Sequence, residues 1–250
     1  MEIVVFRDPG EVGQHAAQMF ARQIRSNPKS VLGLATGATP LPMYRELIRM
    51  HRAEGLDFSE ASSFNLDEYI GLAPDHPQSF RHFMQTELFD HLNIRPERTH
   101  VPDGLAVDVE VACAAYEAAI AAAGGIDIQV LGLGANGHIG FNEPHSDFDS
   151  RTRVQPLTER TILDNARFFA SVGEVPRRAI TMGIGTIMES RACLLLATGS
   201  AKAEVVARMI EGPVSEECPA SILQRHTNAT ILLDELAAAQ LSGVSREPAS

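Results

Sequence analysis

The sequence predicts one α/β domain over residues 1–241, a doubly wound, mostly parallel sheet with helices on both faces. Three observations carry that prediction. Short apolar runs alternate with stretches of helical period. Strands alternating with helices build a parallel sheet. Glycine-bearing motifs fall just after several of the apolar runs, at the strand ends where such sheets bind ligands.

In chain order, residues 3–6 read as a strand and 11–24 as a helix with apolar residues near every third or fourth position. Residues 30–34 form a short apolar run, and 40–50 a helix with proline near its first turn. Residues 62–66 read as another strand. Residues 79–91 read as a helix with Phe80, Phe83, Met84, Leu88 and Phe89 on or near one face. The alanine-rich stretch 107–123 is expected to be a long helix stopped by Gly124 and Gly125. Buried strands are expected at 126–131, 192–196 and 229–233, with a helix at 201–210 between the last two. No repeat or linker divides the chain. The polar, proline-containing tail 242–250 is expected to be disordered.

Composition narrows the function classes. The chain has 250 residues, 44% apolar and 21% charged, an ordinary globular balance. A net charge of −11 argues against general affinity for nucleic acid or anionic membranes. It leaves room for a small anion, because a few cations and backbone N–H groups suffice to hold a phosphate. The stretch Met1 to Arg7 does not read as a signal peptide, and no apolar run reaches the ~18–20 residues of a membrane helix. A cytoplasmic protein is expected. Cys113, Cys193 and Cys218 are widely spaced and lack zinc-ligand spacing, so reduced structural thiols and no metal are expected.

The stretch from Leu131 to Pro144, LGLGANGHIGFNEP, sets His138 and Glu143 in a glycine-rich loop after an apolar run. An imidazole there, with a carboxylate five residues on and Asn136 beside it, suits acid–base work. Gly132, Gly134 and Gly137 also spell a dinucleotide fingerprint, which requires a helix opening on its last glycine. Here Gly140 and Pro144 follow and no helical period begins, so that spelling is set aside. The other eight histidines are read as surface or packing residues.

Residues 35–42, ATGATPLP, lie between a strand and a helix. Thr36, Gly37, Ala38 and Thr39 offer hydroxyls and N–H groups at a helix start, which fits either a phosphate cradle or a threonine-capped helix. Asp67 and Glu68 stand just past the third strand, and neighbours point apart, so at most one faces a shared site. Arg167, among apolar neighbours, is expected to be partly buried beside a ligand. Lys202 opens a helix at the same edge of the sheet. Either cation alone would ordinarily be a solvated surface charge. No G-x-S-x-G elbow or Walker loop is present.

Taken together, FNLDEYIGL at 64–72 and GANGHIGFNEP at 134–144 closely resemble the glucosamine-6-phosphate deaminase (glucosamine/galactosamine-6-phosphate isomerase) family. ATGATP at 35–40, SRTR at 150–153, ARFF at 166–169 and GSAK at 199–202 extend the resemblance over about residues 1–240. It implies the doubly wound fold already read and conversion of glucosamine 6-phosphate and water to fructose 6-phosphate and ammonia. By the same resemblance Asp67 is the base that moves the C2 proton to C1. His138 shuttles the proton that opens the ring, and Glu143 with Asn136 orients it. The phosphate sits on Ala38, Thr39, Arg167 and Lys202. No cofactor is implied. The expected partner is a small phosphosugar, with the chain a monomer or small homo-oligomer.

Two positions depart from the family's regulated hexamers. Asn136 stands where they carry Asp, although shorter members also carry Asn, and an amide can orient His138 but brings no negative charge. Arg153 matches the family's effector pocket, yet Gln155 replaces the lysine two positions on, and the sequence given stops soon after Leu241. No strong activation by N-acetylglucosamine 6-phosphate is expected. The rival readings are a 6-phosphogluconolactonase-like hydrolase, galactosamine-6-phosphate isomerisation, and a catalytically silent sugar-phosphate sensor.

Overall fold

β1 (Glu2–Phe6) runs into Asp8, whose carboxylate accepts the N–H groups of Gly10 and Glu11 at 2.8 and 3.0 Å and so starts α1 (Pro9–Ser26). Val12, Ala16, Phe20 and Ile24 recur on the buried stripe of that helix. In the computed structural model, which describes residues 1–243, β2 (Val31–Leu34) then leads into α2 (Leu41–Glu54). Gly13 lets α1 and α2 touch: a Cβ there would stand 2.4 Å from that of Pro42.

β3 (Ser62–Asn65) is followed at once by β4 (Asp67–Tyr69), then α3 (Phe80–Glu87), β5 (Thr99–His100) and α4 (Val109–Ala122). As expected, Gly124 and Gly125 end that helix at positive φ, and the Gly125 N–H reaches back to Ile120 O at 2.9 Å. The rest comprises β6 (Ile128–Gly132), β7 (Arg153–Pro156), α5 (Glu159–Asn165), β8 (Arg178–Thr181), α6 (Ile184–Met188), β9 (Cys193–Ala197), α7 (Ala203–Glu211) and β10 (Ala229–Asp234).

Seven strands form one parallel sheet in the order β1-β10-β9-β6-β2-β3-β5. β2, β9 and β10 are buried along their whole lengths, as parallel strands covered on both faces must be. α2 packs against both α1 and α3. The chain steps one way from β2 to β3 and β5, and the other way from β6 to β9 and β10. The switch point therefore lies between β2 and β6, where an open α/β sheet has its crevice.

Past the third strand the structure adds a feature absent from the sequence reading. The strand expected at 62–66 is β3, which ends one residue earlier. The chain turns at Leu66, and β4 leaves the main sheet to pair antiparallel with β8, which pairs with β7. This second sheet has its own small core of Tyr69, Phe141, Leu157, Ile162, Val175 and Ala179. The helix expected at 79–91 is α3 with a separate 3-10 turn, Phe89–His91, after a break at Leu88. The helix expected at 201–210 begins as the 3-10 turn Ser200–Lys202. Of the tail expected at 242–250, residues 244–250 lie outside the described residues.

Candidate active site

The loops after β2 and β6 flank the switch point, and those after β3 and β9 stand beside them. After β6 the chain forms turns and no helix, which removes the dinucleotide reading. Gly137 and Gly140 take φ of 95° and 57°, conformations that other residues rarely adopt. Gly134 serves a different need. A Cβ there would lie 2.3 Å from the His138 ring, so the imidazole rests against bare backbone.

His138 Nδ1 lies 2.7 Å from Asn136 Oδ1, and Asn136 Nδ2 donates to Glu143 Oε2 at 2.6 Å. The directions of these bonds are forced. An ionised carboxylate only accepts, so the amide NH2 faces Glu143 and the amide oxygen faces the ring. His138 Nδ1 must then carry a proton, which leaves Nε2 of the neutral ring as a base. Glu143 Oε2 is 3.7 Å from Nδ1, too far for a hydrogen bond. The Thr161 hydroxyl donates to Glu143 Oε1. Burial alone would raise the Glu143 carboxyl. The His138 ring, Thr161 and Asn136 more than reverse that, holding it down at about 2. The relay acceptor is ionised across the neutral range.

Asp67 is 7% exposed, and burial, then the neighbouring Glu68 charge, push its carboxyl up to about 8. Of the adjacent acids it alone faces the site. Glu68 turns away and accepts the N–H groups of Tyr69, Phe80 and Arg81 at 2.8, 3.0 and 2.9 Å, securing the start of α3. Asp67 pairs across the second sheet with Thr181, and Thr181 with Arg153. The His138 loop crosses this row. Phe141 N–H donates to Thr181 Oγ1 at 3.1 Å, and Asp67 Oδ2 stands 3.5 Å from where a Cβ on Gly140 would be. Asp67 and the His138 loop thus share one wall.

In the loop after β2, Gly37 has φ 96° with open space beside it. The N-cap of α2 is Pro40, which has no side-chain cap, so Thr39 does not cap the helix. Thr36, Gly37, Ala38 and Thr39 lie partly exposed just past the end of β2. Tyr44 supports this stretch from below, donating to Ala35 O at 2.5 Å and accepting Ala35 N–H at 3.2 Å. Lys202 reaches the neighbouring loop and donates to Leu133 O at 2.6 Å.

Arg167 is exposed, whereas the sequence reading expected it partly buried beside a ligand. It lies exposed on the 3-10 turn Ala166–Phe168, its guanidinium 4.7 Å above the Phe168 ring. The turn packs Ala166 and Phe169 onto the small core, which leaves the two residues between them outward.

Sequence reasoning missed Thr161, Thr181 and Asn142. Asn142 Nδ2 donates to Ile139 O and Met182 O, each at 2.9 Å, and its oxygen accepts from Arg153 at 2.8 Å. Only Thr158 and Thr161 at capping-box spacing before an apolar pair hinted at a helix start there. Among the described residues no group of three or more His, Cys, Asp or Glu is arranged to hold a metal ion, and no helix is long and apolar enough to cross a membrane.

The profile of the family described as "Glucosamine-6-phosphate isomerases/6-phosphogluconolactonase" matches residues 9–232. The chain is 54% identical over 241 residues to the glucosamine-6-phosphate deaminase of Pseudarthrobacter chlorophenolicus, covering 96% of this chain and 93% of that one. It is also 54% identical over 244 residues to the enzyme of that name from Cellvibrio japonicus, covering 98% and 93%. A solved monomeric glucosamine-6-phosphate deaminase superposes with a TM-score of 0.94 at 46% identity, covering 96% of this chain and all of that one. The 6-phosphogluconolactonase of Trypanosoma cruzi, at 22% identity, covers 97% of each chain with a TM-score of 0.77 and shares the fold. The chain belongs to the glucosamine-6-phosphate isomerase/6-phosphogluconolactonase family.

Proposed function

We propose that this chain converts glucosamine 6-phosphate and water to fructose 6-phosphate and ammonia. One observation carries the reading: an oriented His138, with Nε2 as its base, shares a wall with Asp67, a buried carboxylate of raised pKa. Full-length identity near 54% to deaminases supports it.

In this reading His138 Nε2 takes the proton of the anomeric hydroxyl and returns it to the ring oxygen, which opens the pyranose. Asp67 removes the C2 proton of the open aldehyde, giving an enolamine, and delivers it to C1. The resulting C2 iminium adds water and expels ammonia, leaving the ketose. A carboxylate attacks a carbon acid effectively only when poorly solvated, and burial supplies that. The positive amine of the substrate favours the ionised form of Asp67 once it is bound. Hydrolysis of a lactone needs no carbon-acid base and gives buried Asp67 no task.

The substrate phosphate would lie on the N–H groups and hydroxyls of Thr36, Gly37, Ala38 and Thr39, with Lys202 as its cation. Arg167 joins only if its exposed turn moves inward. Lys202→Ala should raise KM for glucosamine 6-phosphate by about 10–100-fold and change kcat less, as expected for loss of a charged hydrogen-bond partner. An unchanged KM would remove Lys202 from the phosphate site. Gly134→Ala should displace the imidazole and lower kcat on the order of 100-fold, with little change in phosphosugar binding.

We further read residues 1–241 as one domain, since β1 pairs with β10 and so joins the two ends of the chain in one sheet. A monomer or small homo-oligomer fits, because every proposed site residue comes from one chain. A cytoplasmic location follows the substrate, a charged sugar phosphate that does not cross membranes unaided. Arg153 is engaged internally with Asn142, and with Ser146 and Gln155 at 3.2 Å each. Initial rates should therefore be unaffected by N-acetylglucosamine 6-phosphate. A sigmoidal curve that this ligand makes hyperbolic would contradict that reading. Ammonia release from glucosamine 6-phosphate, compared with galactosamine 6-phosphate, tests the activity and the epimer preference together.

A further inference from the structure

Two cations of one helical segment hold the carbonyls on either side of the His138 loop. Lys202, in the turn that opens α7, donates to Leu133 O, while Arg208, further along α7, donates to Asn136 O at 2.6 Å. Arg208 lies so close to the loop that a Cβ on Gly137 would stand 3.3 Å from its terminal nitrogen. On the other side Ala220 N–H donates to Gly137 O at 2.9 Å, and Cys218 Sγ would meet that same Cβ at 2.6 Å.

We infer that Arg208 is a positioning residue for the reaction, acting through the main chain of Asn136 to fix the tautomer of His138. The inference rests on the role proposed above for His138. Asn136 must present its NH2 to Glu143 and its oxygen to the ring at once, over 2.6 and 2.7 Å. A displacement of somewhat more than about 0.5 Å takes either bond out of hydrogen-bond range. A carboxylate at this position would attract an imidazolium across such a gap, but an amide acts by contact alone and so depends on its backbone being held. The residue that holds it is exposed and sits 72 positions away in the sequence.

Arg208→Met keeps the aliphatic stem and removes the donors, while Arg208→Lys restores one. In Arg208→Met kcat should fall about 10-fold, KM should change less than about twofold, and melting should shift by no more than about 2 °C. Arg208→Lys should recover part of the loss. Imidazole 15N spectra, with the His138 signal identified by its loss in His138→Gln, should show the Nδ1–H tautomer in the parent and a mixture in Arg208→Met. An unchanged tautomer in Arg208→Met overturns the inference. So does a kcat loss of equal size in the His138→Gln background, because residues that act through one another do not add. If His138→Gln turns over like the parent, the proposed role of His138 fails, while the spectra still report whether Arg208 fixes the ring.

Discussion

Asp67→Asn should lower kcat by about 10²–10⁴-fold, the usual contribution of a positioned general base, while sugar-phosphate affinity stays within a few-fold. The proposed phosphate cradle lies on other loops, so binding and chemistry should separate at this residue. The same substitution should stabilise the protein at alkaline pH. The folded-state pKa of about 8 lies above the ordinary carboxylate value, so the folded form keeps a proton that the unfolded chain has released. Stability therefore falls as pH rises from about 4 to 8, and the full penalty persists above that window. Asparagine carries no such penalty. Melting temperatures measured at pH 8.5 should rise on the order of 5 °C, and the gain should shrink toward pH 5. Lower stability of Asp67→Asn at pH 8.5 would show that the carboxylate is better satisfied than its surroundings indicate.

His138→Gln should reduce turnover of glucosamine 6-phosphate on the order of 10²–10³-fold, because glutamine fills part of the space but cannot shuttle a proton. Affinity for an open-chain polyol phosphate of the same sugar should remain within about threefold, since that ligand has no ring to open and the phosphate contacts are intact. Turnover above about a third of the parent's would place ring opening elsewhere. Equal losses of turnover and of polyol phosphate affinity would make His138 a binding group.

The contrast between the two sheets shows what the sequence revealed. β2, β6, β9 and β10 are apolar because both faces are covered, and that burial is written directly in runs such as Cys193–Ala197. β4, β7 and β8 are three or four residues long and contain Asp67, Glu68, Arg153, Gln155 and Arg178. Their polar content hid them, and the pairing of β4 with β8 joins segments more than a hundred residues apart, which no local pattern records. The site divides along the same line. Asp67, His138 and Glu143 were legible because acid–base residues in a glycine loop and at strand ends are few. The exposure of Arg167 was not legible, because the turn packs Ala166 and Phe169 inward and leaves Arg167 and Phe168 between them outward. Thr161 and Arg208 could not be read, since one donates to a carboxylate and the other to a backbone carbonyl, both distant in sequence.

In the proposed reaction Asp67 moves the C2 proton of a ring-opened amino sugar, and ammonia is then released. Turnover of glucosamine 6-phosphate deuterated at C2 tests it most directly. Equal amounts of ammonia and fructose 6-phosphate are expected, with the deuterium divided between C1 of the product and the solvent. The labelled substrate should also turn over more slowly. Deuterium retained at C2 of a hexose phosphate product, or a sugar product formed without ammonia, would contradict it.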